Sequence, residues 1–301
     1  MQTHNKSINS DRKKRVALSQ TLGFRLGYRV SLNTNNTILL PDKRQLGYAE
    51  YGVGNGFPVF MFHGNPGSRL SWGYFPDCPF IGGIRIIAPD RPGYGLSDFK
   101  ENAIESWPDD ICKLADHLGI EKFSVLGVSG GGPYALACAW KIPDRLYSVG
   151  LLGSVGPNKP EAVEGVIKSL RVLWKVAKPF YWLVKLQMRF MGMIAKRNPE
   201  KLMKQLRDLE LSDQDKEVFD KPEIQRIFIH DFPEAYRQNG IGSAYDATIP
   251  GNWPIPLNEI QIKVNIWSME ADQLVGNMGR YLANNIPNCK ANFIPDRGHL
   301  W

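Results

Sequence analysis

The sequence predicts an α/β fold, a mostly parallel central sheet flanked by helices and interrupted by one long helical insertion. Three observations carry this. Short apolar runs bounded by Gly or Pro alternate with helical patterns through the first half of the 301 residues. Over residues 156–255 the strand pattern disappears and helical periodicity rich in Lys and Arg replaces it. Strand patterns then resume at 260–267 and 290–294, and a sheet pattern that stops and resumes marks an insertion into one sheet rather than two tandem domains. The expected organisation is an N-terminal extension at 1–36, a first core part at 37–155, the insertion at 156–255 and a second core part at 256–301.

The elements follow in order. Residues 37–40 and 45–51 flank a Pro-Asp turn, as in an antiparallel hairpin. Residues 57–62, 84–88 and 123–128 are continuous apolar runs, suited to strands buried on both faces. Ser106 is placed to cap a helix with Pro108 and Asp109 in its first turn, running to Leu118 and stopped at Gly119. A helix is expected from near Gly132, a further strand at 148–152, and a last helix ending near Asn285. Within the insertion, Pro179 predicts two shorter helices instead of one long one.

Composition narrows the class. Hydrophobic residues make up 43% and charged ones 22%, ordinary for a globular protein, and no apolar run approaches the length of a membrane span. Cys78, Cys112, Cys138 and Cys289 form no C-x-x-C pair, and the five histidines show no H-x-x-x-H spacing, so neither a metal site nor a disulfide framework is expected. The basic run at residues 12–15 is not followed by a signal-peptide core, and a cytoplasmic location is the default expectation. The net charge of +7 is concentrated: residues 154–210 hold 12 Lys/Arg against 5 Asp/Glu. No nucleic-acid motif accompanies that charge, so a nucleic-acid partner is not expected.

The sharpest motif is Gly127-Val128-Ser129-Gly130-Gly131, a G-x-S-x-G placed between a strand and a helix. Such a turn is strained and closely packed, needs glycines on both sides, and leaves the serine hydroxyl exposed. Gly130-x-Gly132-x-x-Ala135 also fits a dinucleotide fingerprint, but no acidic residue stands at 154–156 to meet a ribose, and Pro133 removes a backbone donor from the turn. A hydrolytic serine needs a base, an acid to orient it, and donors for an oxyanion. His299 follows the last strand pattern, Asp272 follows the one before it, and the loop after 57–62 offers His63-Gly64-Asn65-Pro66-Gly67.

With these residues in order, the chain resembles the α/β-hydrolases of the lid-bearing serine-esterase kind. The resemblance runs from about residue 37 to the end and rests on the HGNPG turn, Asp90-Arg91-Pro92-Gly93-Tyr94-Gly95-Leu96-Ser97-Asp98, the elbow around Ser129, and Gly298-His299. It implies Ser129 as nucleophile, His299 as base, Asp272 as the orienting acid ahead of Glu270, and the amides of Asn65 and Gly130 as oxyanion donors. The implied reaction is hydrolysis of a carboxylic ester or similar small acyl substrate, with no metal or organic cofactor. Haloalkane dehalogenases and epoxide hydrolases share parts of the pattern but use an aspartate where this chain has Ser129. A ligand-binding protein on the same scaffold with slow or absent turnover is the runner-up, and a dinucleotide-dependent oxidoreductase a distant third.

The remaining features receive plainer readings. Residues 90–98 are expected to shape a turn, His63 to hold the loop before Asn65, and His117 and His230 to be surface residues. The insertion would be the lid. The Trp, Tyr, Phe and Met residues of 166–194 are expected chiefly as its packing core, with acyl-pocket lining and adsorption to an anionic membrane as lesser alternatives. The resemblance also implies a helix after the histidine loop. The sequence ends at Trp301 without one, so either that helix lies beyond this sequence or another element holds the loop.

Overall fold

The computed structural model describes residues 33–73 and 83–300. Most of the expected N-terminal extension, Cys78 and Trp301 lie outside the described residues. Eight strands form one sheet in the order β1-β2-β4-β3-β5-β6-β7-β8. β1 (Asn36–Leu39) and β2 (Gln45–Gly52) make the predicted hairpin, and β2 pairs antiparallel with β4 (Ile84–Pro89). From β4 onward the sheet is parallel through β3 (Phe57–Phe62), β5 (Phe123–Val128), β6 (Leu146–Leu152), β7 (Val264–Met269) and β8 (Cys289–Ile294). Continuous apolar runs suit this arrangement because helices cover both faces. Phe60, Phe62, Ile87, Phe123, Val149, Leu151, Val264 and Ile266 all lie buried in the resulting core.

Two boundaries differ from expectation. Helix α1 spans Ala103–His117, so Ser106 lies inside it, Asn102 precedes it and Pro108 is interior. The apolar stripe decides the start: Ala103, Ile104, Trp107, Ile111 and Leu114 are all buried, and that burial pulls the helix back beyond the better capping residue. β7 begins at Val264 rather than near Ile260. Ile260 is fully buried but follows a single 3₁₀ turn at Leu257–Glu259, where it plugs the core without joining the ladder. Helices α2 (Gly132–Lys141) and α9 (Met278–Asn285) match the predicted patterns.

Between β6 and β7 lie helices α3 (Lys168–Val176), α4 (Tyr181–Arg197), α5 (Pro199–Glu210), α6 (Asp213–Phe219), α7 (Pro222–Ala235) and α8 (Ile241–Asp246). Pro179 lies in the break between α3 and α4, as expected. The helices share a core containing Val184, Met188, Phe219, Phe232 and Tyr236, and Tyr94 from the sheet domain enters it. The reading of the 166–194 aromatics and methionines as packing core holds only in part. Trp174 and Met188 are buried, whereas Phe180, Trp182, Phe190 and Met193 are exposed.

Polar joints built on buried carboxylates and arginines help tie the insertion to the sheet domain. Asp231 of α7 accepts hydrogen bonds from the hydroxyls of Ser68 and Ser71. Arg69 pairs with Asp90 at 2.8 Å and with Glu234 at 2.6 Å. Arg91 pairs with Asp246 at 2.5 Å.

Candidate active site

Every predicted site residue follows the carboxyl end of a parallel strand, the rim where open α/β sheets hold ligands. Ser129 lies between β5 and α2 at φ +51°, the left-handed region that costs a non-glycine residue about 1–2 kcal/mol. Only close packing sustains that turn. A Cβ on Gly127 would come within 2.5 Å of the Gly131 carbonyl oxygen, and one on Gly131 would strike the carbonyl oxygen of Phe62. The loop after β3 passes beside the serine: a Cβ added to Gly64 would sit 3.9 Å from Ser129 Oγ, and one on Gly130 would sit 3.4 Å from the Asn65 nitrogen. The backbone N–H of Val155, just after β6, donates to the Ser129 carbonyl at 3.0 Å.

Asp272 and His299 come together at the ends of β7 and β8. His299 Nδ1 stands 2.7 Å from Asp272 Oδ2, and Asp272 Oδ1 accepts from the amides of Leu274 at 2.8 Å and Val275 at 3.2 Å. A hydrogen bond from Nδ1–H to the carboxylate leaves the lone pair of a neutral imidazole on Nε2. Burial opposes the imidazolium, but the charge of Asp272, the hydrogen bond to it and the charge of Asp215 together lift the His299 pKa above 6.5. Glu270 instead pairs with Arg280 at the surface. The two loops are also joined by the Ala271 amide donating to the Arg297 carbonyl at 3.0 Å.

His63 is wholly buried. Its Nε2 accepts from the Arg91 amide at 3.1 Å, so Nδ1 carries the proton and donates to the Gly64 carbonyl at 2.8 Å. Burial, with Arg91 close by, keeps its pKa well below the usual imidazole range. It is a neutral strut for the loop bearing Asn65.

Two contributors carried no sequence motif. Asp246 accepts from Arg91, from Tyr94 Oη at 2.6 Å and from Tyr134 Oη at 2.8 Å, while Arg91 also donates to the Gly64 carbonyl at 2.9 Å. The guanidinium lies between the Tyr94 and Tyr134 rings, 4.7 and 4.6 Å from their centroids. Asp215 of α6, 1% exposed, accepts from the Leu300 amide at 2.7 Å, and Ser212 Oγ donates to its other oxygen at 2.8 Å. The insertion thus holds the histidine loop through a buried carboxylate. Neither residue was visible in sequence, since their partners lie 155 and 85 positions away.

A cavity of about 120 Å³ opens beside Ser129, Asn65 and Gly130, walled by Leu173, Trp174 and Met188 of the insertion, with Asp246 at one side. None of its lining residues is Lys or Arg. A larger, more open cavity of about 580 Å³ meets it only at Pro250 and is lined mainly by turns around Asn158, Trp253 and Asn258. The smaller one is the cavity that holds Ser129 and both predicted oxyanion residues. Among the described residues no cluster of His, Cys, Asp or Glu is arranged to hold a metal ion.

Comparison with known proteins agrees with this architecture. The family model described as alpha/beta hydrolase fold matches residues 58–174. The 2-hydroxymuconate semialdehyde hydrolase of Pseudomonas sp. (strain CF600) is 32% identical over 128 residues, 40% of this chain and 43% of that protein. Epoxide hydrolase B of Mycobacterium tuberculosis is 34% identical over 113 residues, 36% of this chain and 30% of that one. The match therefore spans less than half the length of these curated relatives. A thermophilic esterase from Thermogutta terrifontis superposes with a TM-score of 0.64 at 22% identity, over 89% of this chain and 92% of that one. With its eight-stranded sheet, its strand-end loops and these likenesses, the chain has the α/β-hydrolase fold, and residues 58–174 are similar to that family's model.

Proposed function

We propose that this protein is a serine hydrolase that cleaves a carboxylic ester or similar acyl substrate. Two observations carry the proposal: a left-handed serine in a strand-to-helix turn, and, at the same rim of the sheet, a half-buried histidine whose Nδ1 is engaged by a carboxylate. Ser129 Oγ attacks the acyl carbonyl while His299 Nε2 takes its proton, and the same imidazolium then protonates the leaving alkoxide. Asp272 keeps the imidazole in the required tautomer and stabilises its cation. The oxyanion is held by the amides of Asn65 and Gly130, and water resolves the acyl-enzyme by the reverse sequence. The insertion, which supplies one wall of the cavity, acts as the lid.

The aspartate nucleophile typical of epoxide hydrolases is not carried over, because the elbow position is Ser129. Nor is an anionic substrate of the muconate kind favoured, because the cavity offers no Lys or Arg and includes Asp246. Its volume and its Leu, Trp and Met wall favour a short, neutral, apolar acyl group. The test is labelling with a fluorophosphonate, which reacts with activated serines: wild type should label and hydrolyse short-chain esters, and Ser129→Ala should do neither. A wild-type protein that stays unlabelled would support the ligand-binding scaffold instead.

A further inference from the structure

The insertion carries a surface that the active site does not use. Between Glu164 and Glu200 the chain has eight basic residues, Lys168, Arg171, Lys175, Lys178, Lys185, Arg189, Lys196 and Arg197, and no Asp or Glu. Of the eleven large apolar side chains most exposed among the described residues, seven lie in this same stretch. Five belong to α4: Trp182 is 65% exposed, Leu183 48%, Leu186 59%, Phe190 58% and Met193 43%. Leaving such side chains in water is unfavourable, and clustered apolar surface marks a place of contact.

The helix is two-faced. Val184, Met188, Gly192 and Ala195 are buried on one side. At 100° per residue the five exposed apolar residues fall within an arc of roughly 100° on the opposite side. Lys185, Arg189 and Lys196 border that arc, and the exposed Phe180 and Lys178 extend it before the helix begins.

We propose that this face docks on an anionic lipid bilayer, with α4 lying in the headgroup plane. Trp182, Leu186 and Phe190 enter the upper acyl region while the lysines and arginines meet lipid phosphates. Charge selects this occupant. A second copy meeting this face with its own would set the same cations against each other, and the first 32 residues carry seven Lys/Arg against one Asp, so neither is complementary. No helix among the described residues is long and apolar enough to cross a membrane, so the contact is one of surface adsorption. Docking also brings the cavity to the membrane, because Met188 of α4 and Leu173 and Trp174 of α3 line it from the inner side.

The experiment is sedimentation of the full chain with vesicles of phosphatidylcholine alone and with about one-third phosphatidylserine. Binding should require the anionic lipid and weaken steadily with added salt. Neutralising Lys178, Lys185 and Arg189 together to Gln should reduce partitioning about 100-fold, and Trp182→Ser with Leu186→Ser and Phe190→Ser should abolish it. Both triple variants should keep the wild-type thermal midpoint and react with fluorophosphonate as the parent does, since none of these side chains lines the cavity. If the apolar triple variant fails to fold, the Gln triple variant and the wild-type salt titration still decide. Absence of binding at low salt, equal binding to neutral vesicles, or a concentration-dependent dimer that the apolar triple variant dissolves would each overturn the proposal, the last by assigning the face to a second copy.

Discussion

Removing the carboxylate of Asp246 tests how the insertion is fastened to the loop bearing Asn65. The Arg91 and Asp246 side chains are 0% and 5% exposed, so Asp246→Ala leaves a guanidinium buried without its counter-ion and takes the acceptor from Tyr94 and Tyr134. Breaking a buried pair from one side costs about 3–5 kcal/mol, because the remaining charge cannot return to water. For a domain of this size that corresponds to a fall in thermal midpoint of roughly 6–15 °C. Urea unfolding followed by tryptophan fluorescence should show a lower midpoint at unchanged slope. Replacing both partners, Arg91→Met with Asp246→Leu, should recover most of the loss, since no charge is then stranded. Arg91 also holds the Gly64 carbonyl, so the double variant should regain stability without regaining full turnover. A cost below about 1 kcal/mol for Asp246→Ala, or a double variant as unstable as the single one, would refute the reasoning.

Three further outcomes are expected. Ester hydrolysis should fall as pH drops through a value above 6.5, because the His299 imidazolium cannot act as base; Asp272→Asn should lower that value and reduce kcat by about 10³–10⁴, measured as a pH–rate profile. The same raised pKa stabilises the fold fully below 6.5, a contribution lost as pH rises through the folded value, so activity and this stability term change in opposite directions. Asp215→Asn should lower kcat with little change in KM and shift the pH profile to lower pH, since it loosens the Leu300 amide and removes a charge facing His299; equal loss in KM would point to a merely distorted cavity. Burial pushes the Asp231 carboxyl up to about 7 from 3.8, so the folded state holds a proton that the unfolded state releases. Stability should therefore fall as pH rises across that window, by up to roughly 4 kcal/mol, and Asp231→Asn should flatten the dependence in urea melts at several pH values.

The sequence was most readable where chemistry is local. The elbow could be read because Gly127, Ser129 and Gly131 fall within five consecutive residues whose turn tolerates few alternatives, and the strands because buried parallel strands are continuous apolar runs. The start of α1 was not readable, since the burial of Ala103 and Ile104 outweighed the capping preference of Ser106, and burial depends on what packs opposite. Ile260 misled for the same reason, being apolar enough for a strand yet buried as a plug.

By itself, the sequence determined the class of fold, the order of its strands along the chain and the identities of Ser129, Asp272 and His299 as candidates. Tertiary structure alone decided that Asp272 meets His299 while Glu270 turns to Arg280, that Asp246, through Arg91, and Asp215 reach from the insertion to the loops bearing Asn65 and His299, and that α4 turns an apolar, cationic face to solvent. The physical reason is range. Backbone propensity and hydrophobic period act over a few residues and are written in the local sequence. A buried charge must instead find its partner wherever the folded chain brings one, and only the packed molecule shows which apolar face remains uncovered.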